Sequence, residues 1–278
     1  VAQDTGMDFI GPYTFCAVRL FLGFLGLLPF FIYFEFNEIK KINFNLKKVF
    51  FFTLILGSIF GMANILQQVS LLYTDIANSA VFTVLYVVIV PLISYFIFSI
   101  KIHPSIWPSV TLCLIGGLLL SEIKNYDVRF GDMLVIIGAF FWAFHIIFIY
   151  KVLKIFNFPI AIATFQCLVA GIFCSFPALA FETVTINLIS KEITELLYAG
   201  ILSSGVAFML QAYAQRVLSP ASVAIIFSLE GVFASIFGWI LLDQFLSEIK
   251  VFGIMIILLA VIFSQLIPIY GKKNYGRI

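Results

Sequence analysis

Three ionisable side chains interrupt runs of apolar sequence long enough to cross a bilayer: Arg19, His145 and Glu230. A charge at mid-bilayer costs at least about 2.5 kcal/mol on insertion scales, so groups of this kind mark a functional site or a buried partner. At about 1.5 Å of rise per residue, Arg19 lies roughly 12 Å and Glu230 roughly 15 Å from the nearer membrane face. Glu230 admits two roles. Its protonation can alternate with binding of a solute, or it can hold helices together, either protonated or paired with Arg19. Arg19 is ambiguous in the same way. A guanidinium grips a carboxylate with two hydrogen bonds, yet Cys16, Gly23 and Gly26 share its helix face and point to close packing. His145, on one face with Gly138 and Trp142, reads as a neutral core histidine or as a proton relay.

Amides and small residues recur beside these groups. Gly57, Gly61, Asn64 and Gln68 fall on one stripe at helical spacing, and Gly200, Ser204, Phe208, Gln211 and Gln215 on another, with Asn78, Phe82 and Tyr86 on a third. Small residues let helices approach and amides in lipid need partners, so the first two stripes face protein. Asn64, Gln67 and Gln211 suit a pore-side surface equally well, and Trp142, Tyr150 and Gln166 extend the polar and aromatic character. The candidate substrate cavity is therefore Asn64, Gln67, Tyr86, Trp142, His145, Gln166 and Gln211, with Glu230 and Arg19 as coupling or ion-pair candidates. Cys16, Cys113, Cys167 and Cys174 have neither CxxC spacing nor a histidine partner, so no metal and no cofactor is expected. There is no Gly-x-x-x-x-Gly-Lys loop to drive an ATP-powered pump.

The elements that position these groups follow from composition. Hydrophobic residues make up 63% of the 278 and charged residues 11%, against roughly 45 to 50% and about 25% in soluble domains. A spanning helix needs about 20 mainly apolar residues, and open strands cannot cross because their backbone polar groups stay unpaired. Helices are expected over 11–34, 48–73, 76–99, 104–121, 131–152, 159–181, 194–217, 220–242 and 248–270.

Two segments copy each other: Gly61-Met62-Ala63-Asn64-Ile65-Leu66-Gln67 and Gly205-Val206-Ala207-Phe208-Met209-Leu210-Gln211. The register holds at Ala77 and Ala221, Leu85 and Leu229, and Leu114 and Leu258. A duplicated chain implies an even number of helices, so nine spans suggest a tenth that precedes Val1. Basic residues collect on alternate connectors, with Lys40, Lys41, Lys47, Lys48, Lys101, Lys151, Lys154, Arg216, Lys272, Lys273 and Arg277 on one side, which marks that side as cytoplasmic. Acidic residues, Glu182 and Glu192 among them, gather opposite and read singly as loop solubility. Gly61 and Gly205 are five helices apart, an odd number, so the repeat is inverted, and inverted repeats place substrate near the midplane between the halves. A net charge of +2 with dispersed basic residues leaves no nucleic-acid footprint.

Val1-Ala2-Gln3 with Gly11-Pro12-Tyr13-Thr14-Phe15 and Arg19, Leu85-Tyr86-Val87-Val88-Ile89-Val90-Pro91, and Leu229-Glu230-Gly231-Val232-Phe233 with Gly238 and Trp239 resemble the EamA branch of the drug/metabolite transporter superfamily. The resemblance covers essentially the whole chain. It implies an all-α polytopic membrane protein with a 5+5 inverted-topology repeat, often an exporter of amino acids or other small metabolites. Two positions depart from the family: Gly231 stands where proline is frequent, and Gln244 where a glutamate commonly closes the helix. The expected layout is a first repeat over 1–121, a connector over 122–130, a second repeat over 131–270 and a cytoplasmic tail over 271–278. The expected function is secondary-active export or exchange of a small-molecule substrate in the cell membrane, with a proton or another ion as coupling partner and lipid around it. Two other classes fit less of the sequence: an intramembrane enzyme using His145 and Glu230 as acid and base, and a non-transporting scaffold or sensor.

Overall fold

The computed structural model describes residues 2–42, 45–74, 79, 82–121, 129–242 and 245–274. Asn78, Gln244, residues 122–128 of the connector and residues 275–278 lie outside the described residues. Apolar helices occupy every expected span. They are α1 (Pro12–Lys41), α2 (Leu46–Ser70), α3 (Phe82–Phe96), α4 (Ile106–Leu120), α5 (Phe130–Ile155), α6 (Pro159–Phe181), α7 (Ile193–Gln215), α8 (Pro220–Ile240) and α9 (Glu248–Leu266). Seven are long and apolar enough to cross a membrane, and α3 and α4 are shorter. The protein is an all-helical polytopic membrane protein.

Local chemistry sets the helix ends. Pro12, Pro159 and Pro220 stand at the start of α1, α6 and α8, where a missing N–H costs nothing and a fixed φ favours the first turn. Ser219 caps α8 by accepting from the Ser222 N–H at 3.2 Å. Helix α1 runs farther than its apolar stretch. It passes Pro29, which removes one donor from the ladder, then a π-helical turn at Phe31–Glu35, and stays helical through Lys41. Half of the expected connector 35–47 is thus helix. Asn45 then accepts from the Lys48 N–H at 3.1 Å and opens α2. A second, longer π-helical stretch, Tyr198–Val206, lies inside α7.

The helices form two compact units. One takes Val1–Leu72 and Ile147–Val217, the other Tyr73–Ile146 and Leu218–Ile278, so each draws helices from both copies of the repeat. In the first unit, α1 packs along its own copy, α6. The two run antiparallel, because Glu182 at the end of α6 meets the start of α1 while Glu35 of α1 meets the start of α6. Helix α2 packs on α6 and its copy α7 packs on α1. In the second unit, α4 and its copy α9 pair antiparallel, Gly116 facing Ile257 and Leu119 facing Gly253.

Glycine sets the closest approaches. A methyl at Gly200 would stand 2.7 Å from the Arg19 carbonyl oxygen and 2.7 Å from Leu22 Cβ, and one at Gly253 2.8 Å from the Gly116 carbonyl oxygen. Backbone cannot yield as a side-chain tip can. Gly200→Ala and Gly253→Ala are each expected to destabilise the protein by about 1 to 3 kcal/mol through overpacking. At Gly231 the added methyl meets only Leu120 Cδ1, at 3.6 Å, so Gly231→Ala is expected to be neutral or stabilising by up to about 1 kcal/mol. Heat-induced loss of the monodisperse peak in size-exclusion chromatography ranks the three.

Candidate functional site

The predicted site residues divide between the two units. Arg19, Asn64, Gln67, Gln166 and Gln211 belong to the first, and Tyr86, Trp142, His145 and Glu230 to the second.

In the first unit Arg19 is 3% exposed and Asn64 is 1% exposed. The guanidinium Nη2 donates to Asn64 Oδ1, and the Asn64 amide nitrogen donates in turn to the Phe60 carbonyl at 2.8 Å, which fixes the acceptor's orientation. The Phe15 ring lies 5.6 Å from the guanidinium carbon. Arg19 Nε has no hydrogen-bond partner among the described residues. The Glu182 carboxylate at this end of the unit is occupied by the start of α1. The cation is therefore held by a neutral amide and an aromatic face. Buried thiols surround it: Cys16 donates to the Asn64 carbonyl at 3.5 Å and Cys167 to the Ser204 carbonyl at 3.4 Å. Gln211 is buried and donates to Gln215 Oε1 at 3.1 Å, while its own Oε1 is unsatisfied. Gln166 is fully buried on α6, and Gln67 is half-buried.

Arg19 and Gln166 occupy corresponding places. A methyl at Gly200 would meet the Arg19 carbonyl and Leu22, and one at Gly57 would meet the Gln166 carbonyl and Val169. Along α1 and α6 the copies are therefore 147 residues apart, as are Pro12 and Pro159, and Glu35 and Glu182, whereas Gly61 and Gly205 are 144 apart. The slip hides the correspondence from a fixed-offset comparison. In one copy a guanidinium takes the place, in the other a neutral amide.

In the second unit Tyr86 of α3 is buried and lies within electrostatic reach of Glu230 on α8. Cys113 of α4 approaches the Ser228 hydroxyl at 3.4 Å, and that hydroxyl donates to the Ile225 carbonyl at 2.6 Å where α8 is interrupted. Glu230 differs from the other polar groups. It is exposed although protein atoms crowd around it, and no basic side chain acts on it among the described residues. Phe233 and Phe237, on the same exposed face, stack at 6.5 Å and 29°. His145 is fully buried, its ring edge-on to Trp142 at 5.8 Å.

Asp132, Glu182 and Glu192, which read singly as loop solubility, have other work, and so does Glu35. Glu182 accepts from the Tyr13 N–H at 3.0 Å, the Thr14 N–H at 2.7 Å and the Thr14 hydroxyl at 2.6 Å. Glu35 accepts from the Ile160 N–H at 3.1 Å and the Ala161 N–H at 2.7 Å. Glu192 accepts from the Phe9 N–H at 3.0 Å, and Asp132 from the Arg129 N–H at 2.8 Å and from the Thr74 hydroxyl. The signal for Glu182 and Glu35 was present in sequence, as a proline and a glutamate recurring at the same spacing.

The fold is that of a polytopic helical membrane protein with polar groups buried among its apolar helices. The chain belongs to the EamA-like transporter family, whose model matches residues 1–122 and 129–266. It is similar to an uncharacterized transporter of Archaeoglobus fulgidus, 31% identical over 260 residues, covering 94% of this chain and 79% of the relative. It is also similar to the uncharacterized transporter YoaV of Bacillus subtilis, 26% identical over 269 residues, covering 92% of this chain and 88% of the relative. A crystal structure of a protein aligns over 99% of this chain and 93% of its own at a TM-score of 0.78; at 13% identity this shows a shared fold alone.

Proposed function

We propose that the protein is a secondary-active carrier of small organic solutes, such as amino acids or related metabolites, working as an exporter or exchanger by alternating access between its inverted repeats. The observation that carries this reading is Glu230: a carboxylate in the middle of an apolar helix, exposed although protein atoms crowd around it, with Tyr86 within electrostatic reach. Such a group belongs in a water-filled recess, because facing lipid would cost several kcal/mol. Solute-lining roles are assigned to Asn64, Gln67, Gln166 and Gln211 in the first unit and to Tyr86, Trp142 and His145 in the second, with Glu230 as the coupling residue and a proton as the ion. The repeats 1–121 and 131–270 are read as the duplicated halves, each contributing helices to the alternating path, in the cell membrane, with the tail from 271 on the cytoplasmic side.

Counterflow in liposomes tests the reading. Vesicles loaded with an excess of one unlabelled amino acid are expected to accumulate the same labelled solute transiently, and empty vesicles are not. A panel of amino acids, organic acids and amines in which no solute shows counterflow above protein-free vesicles would remove the carrier assignment.

A further inference from the structure

Helices α1 and α6 are tied together at both ends. At the Pro12 end, Glu182 spans the first free N–H groups of α1 with both carboxylate oxygens and also takes the Thr14 hydroxyl; at the other end, Glu35 spans Ile160 and Ala161 at the start of α6 in the same way. The first N–H groups of a helix have no intrahelical partner and carry the positive end of its dipole, so a carboxylate placed across two of them makes strong, directional bonds. Gly11 makes one of these contacts possible, since any side chain there would occupy the space of the Glu182 carboxyl. Aromatic contacts lie beside each tie: Tyr13 with Phe181 at 6.3 Å, and Phe31 with Phe165 at 5.1 Å. Between them Gly171 seats the Phe21 ring, at 3.1 Å from where its methyl would be.

We propose that α1 and α6 move as one body throughout the transport cycle, with Glu35 and Glu182 as the positioning residues that fix their antiparallel register. A pair pinned at one end can splay at the other to open a path. A pair pinned at both ends cannot open toward either side without losing two or three charge-assisted bonds at once. Alternation of access is therefore carried by the helices around this pair, which acts as the stationary axis of its unit. The assignment rests on the carrier reading only for its functional arm.

The test uses the full chain in lipid, with the four buried native cysteines left in place. Tyr13→Cys with Phe181→Cys, and separately Phe31→Cys with Phe165→Cys, are joined by a short cleavable dithiol-reactive linker. Each fully linked protein is expected to keep its counterflow rate within about twofold. A tenfold loss that cleavage of the linker restores would overturn the proposal by showing that this end opens. Spin labels at the same positions give a readout that does not need transport. Each pair is expected to show one narrow distance distribution, unchanged by a pH gradient, and a second population would overturn the proposal even if no solute moves. Glu35→Gln is expected to broaden only the 31/165 distance and Glu182→Gln only the 13/181 distance. Broadening at both ends, or at neither, would reduce the two carboxylates to general stabilisers and defeat the positioning role.

Discussion

Asn64→Leu is expected to destabilise the protein by about 3 to 5 kcal/mol, enough to remove most folded material at growth temperature. Asn64 Oδ1 is the acceptor held against the Arg19 guanidinium, and among the described residues no carboxylate pairs with that cation. Stripping the acceptor leaves a buried cation with an aromatic face and little else. The double variant Arg19→Met, Asn64→Leu removes both partners with little change of volume and is expected to recover most of the lost stability, since paired polar groups replaced together leave nothing unsatisfied. The cycle also separates the two roles of Arg19. A stable double variant that transports normally assigns Arg19 to structure, and a stable one that no longer transports assigns it to the solute. Thermal midpoints and counterflow rates of the four proteins are the required measurements. A double variant as unstable as Asn64→Leu would show that the stability lies elsewhere.

Glu230→Gln is expected to abolish acceleration of transport by a pH gradient while leaving counterflow at a fixed pH within a few-fold of the parent. Glutamine keeps the size and one acceptor of the side chain but cannot release or take up a proton. Tyr86 lies within electrostatic reach, and among the described residues no basic side chain acts on Glu230. A variant that retains the full response to a pH gradient would move the coupling role to another group. A variant that loses counterflow altogether, while still folded, would make Glu230 a solute-binding residue.

The fold was legible because its governing term is compositional: about 20 apolar residues span lipid whatever they face. The repeat was legible at Gly61 and Gly205, where α7 repeats the Gly-x-Ala-x-x-Leu-Gln of α2. The ties at the ends of α1 and α6 were not. A glutamate beyond the last apolar residue reads as a solvated charge, and its true partners are 125 to 169 residues away in the chain. Arg19 and Asn64 were each placed on a protein-facing stripe by helical spacing, but spacing within one helix cannot say which helix it meets. Glu230 was legible as an anomaly, and its exposure was not, because burial of a single position depends on neighbours from α3, α4 and α9.

The interleaving of the two copies within each unit bears on how the chain is made. Arg19 finds Asn64 only 45 residues later, so the buried cation is matched as soon as α2 follows α1 into the bilayer. Glu35 has no such early partner, since Ile160 emerges 125 residues after it. Until then the nascent chain holds α1 and α2 as a hairpin with an open carboxylate at one end and, at the other, bare N–H groups awaiting Glu182. The first unit can close only once α6 has been made, late in synthesis.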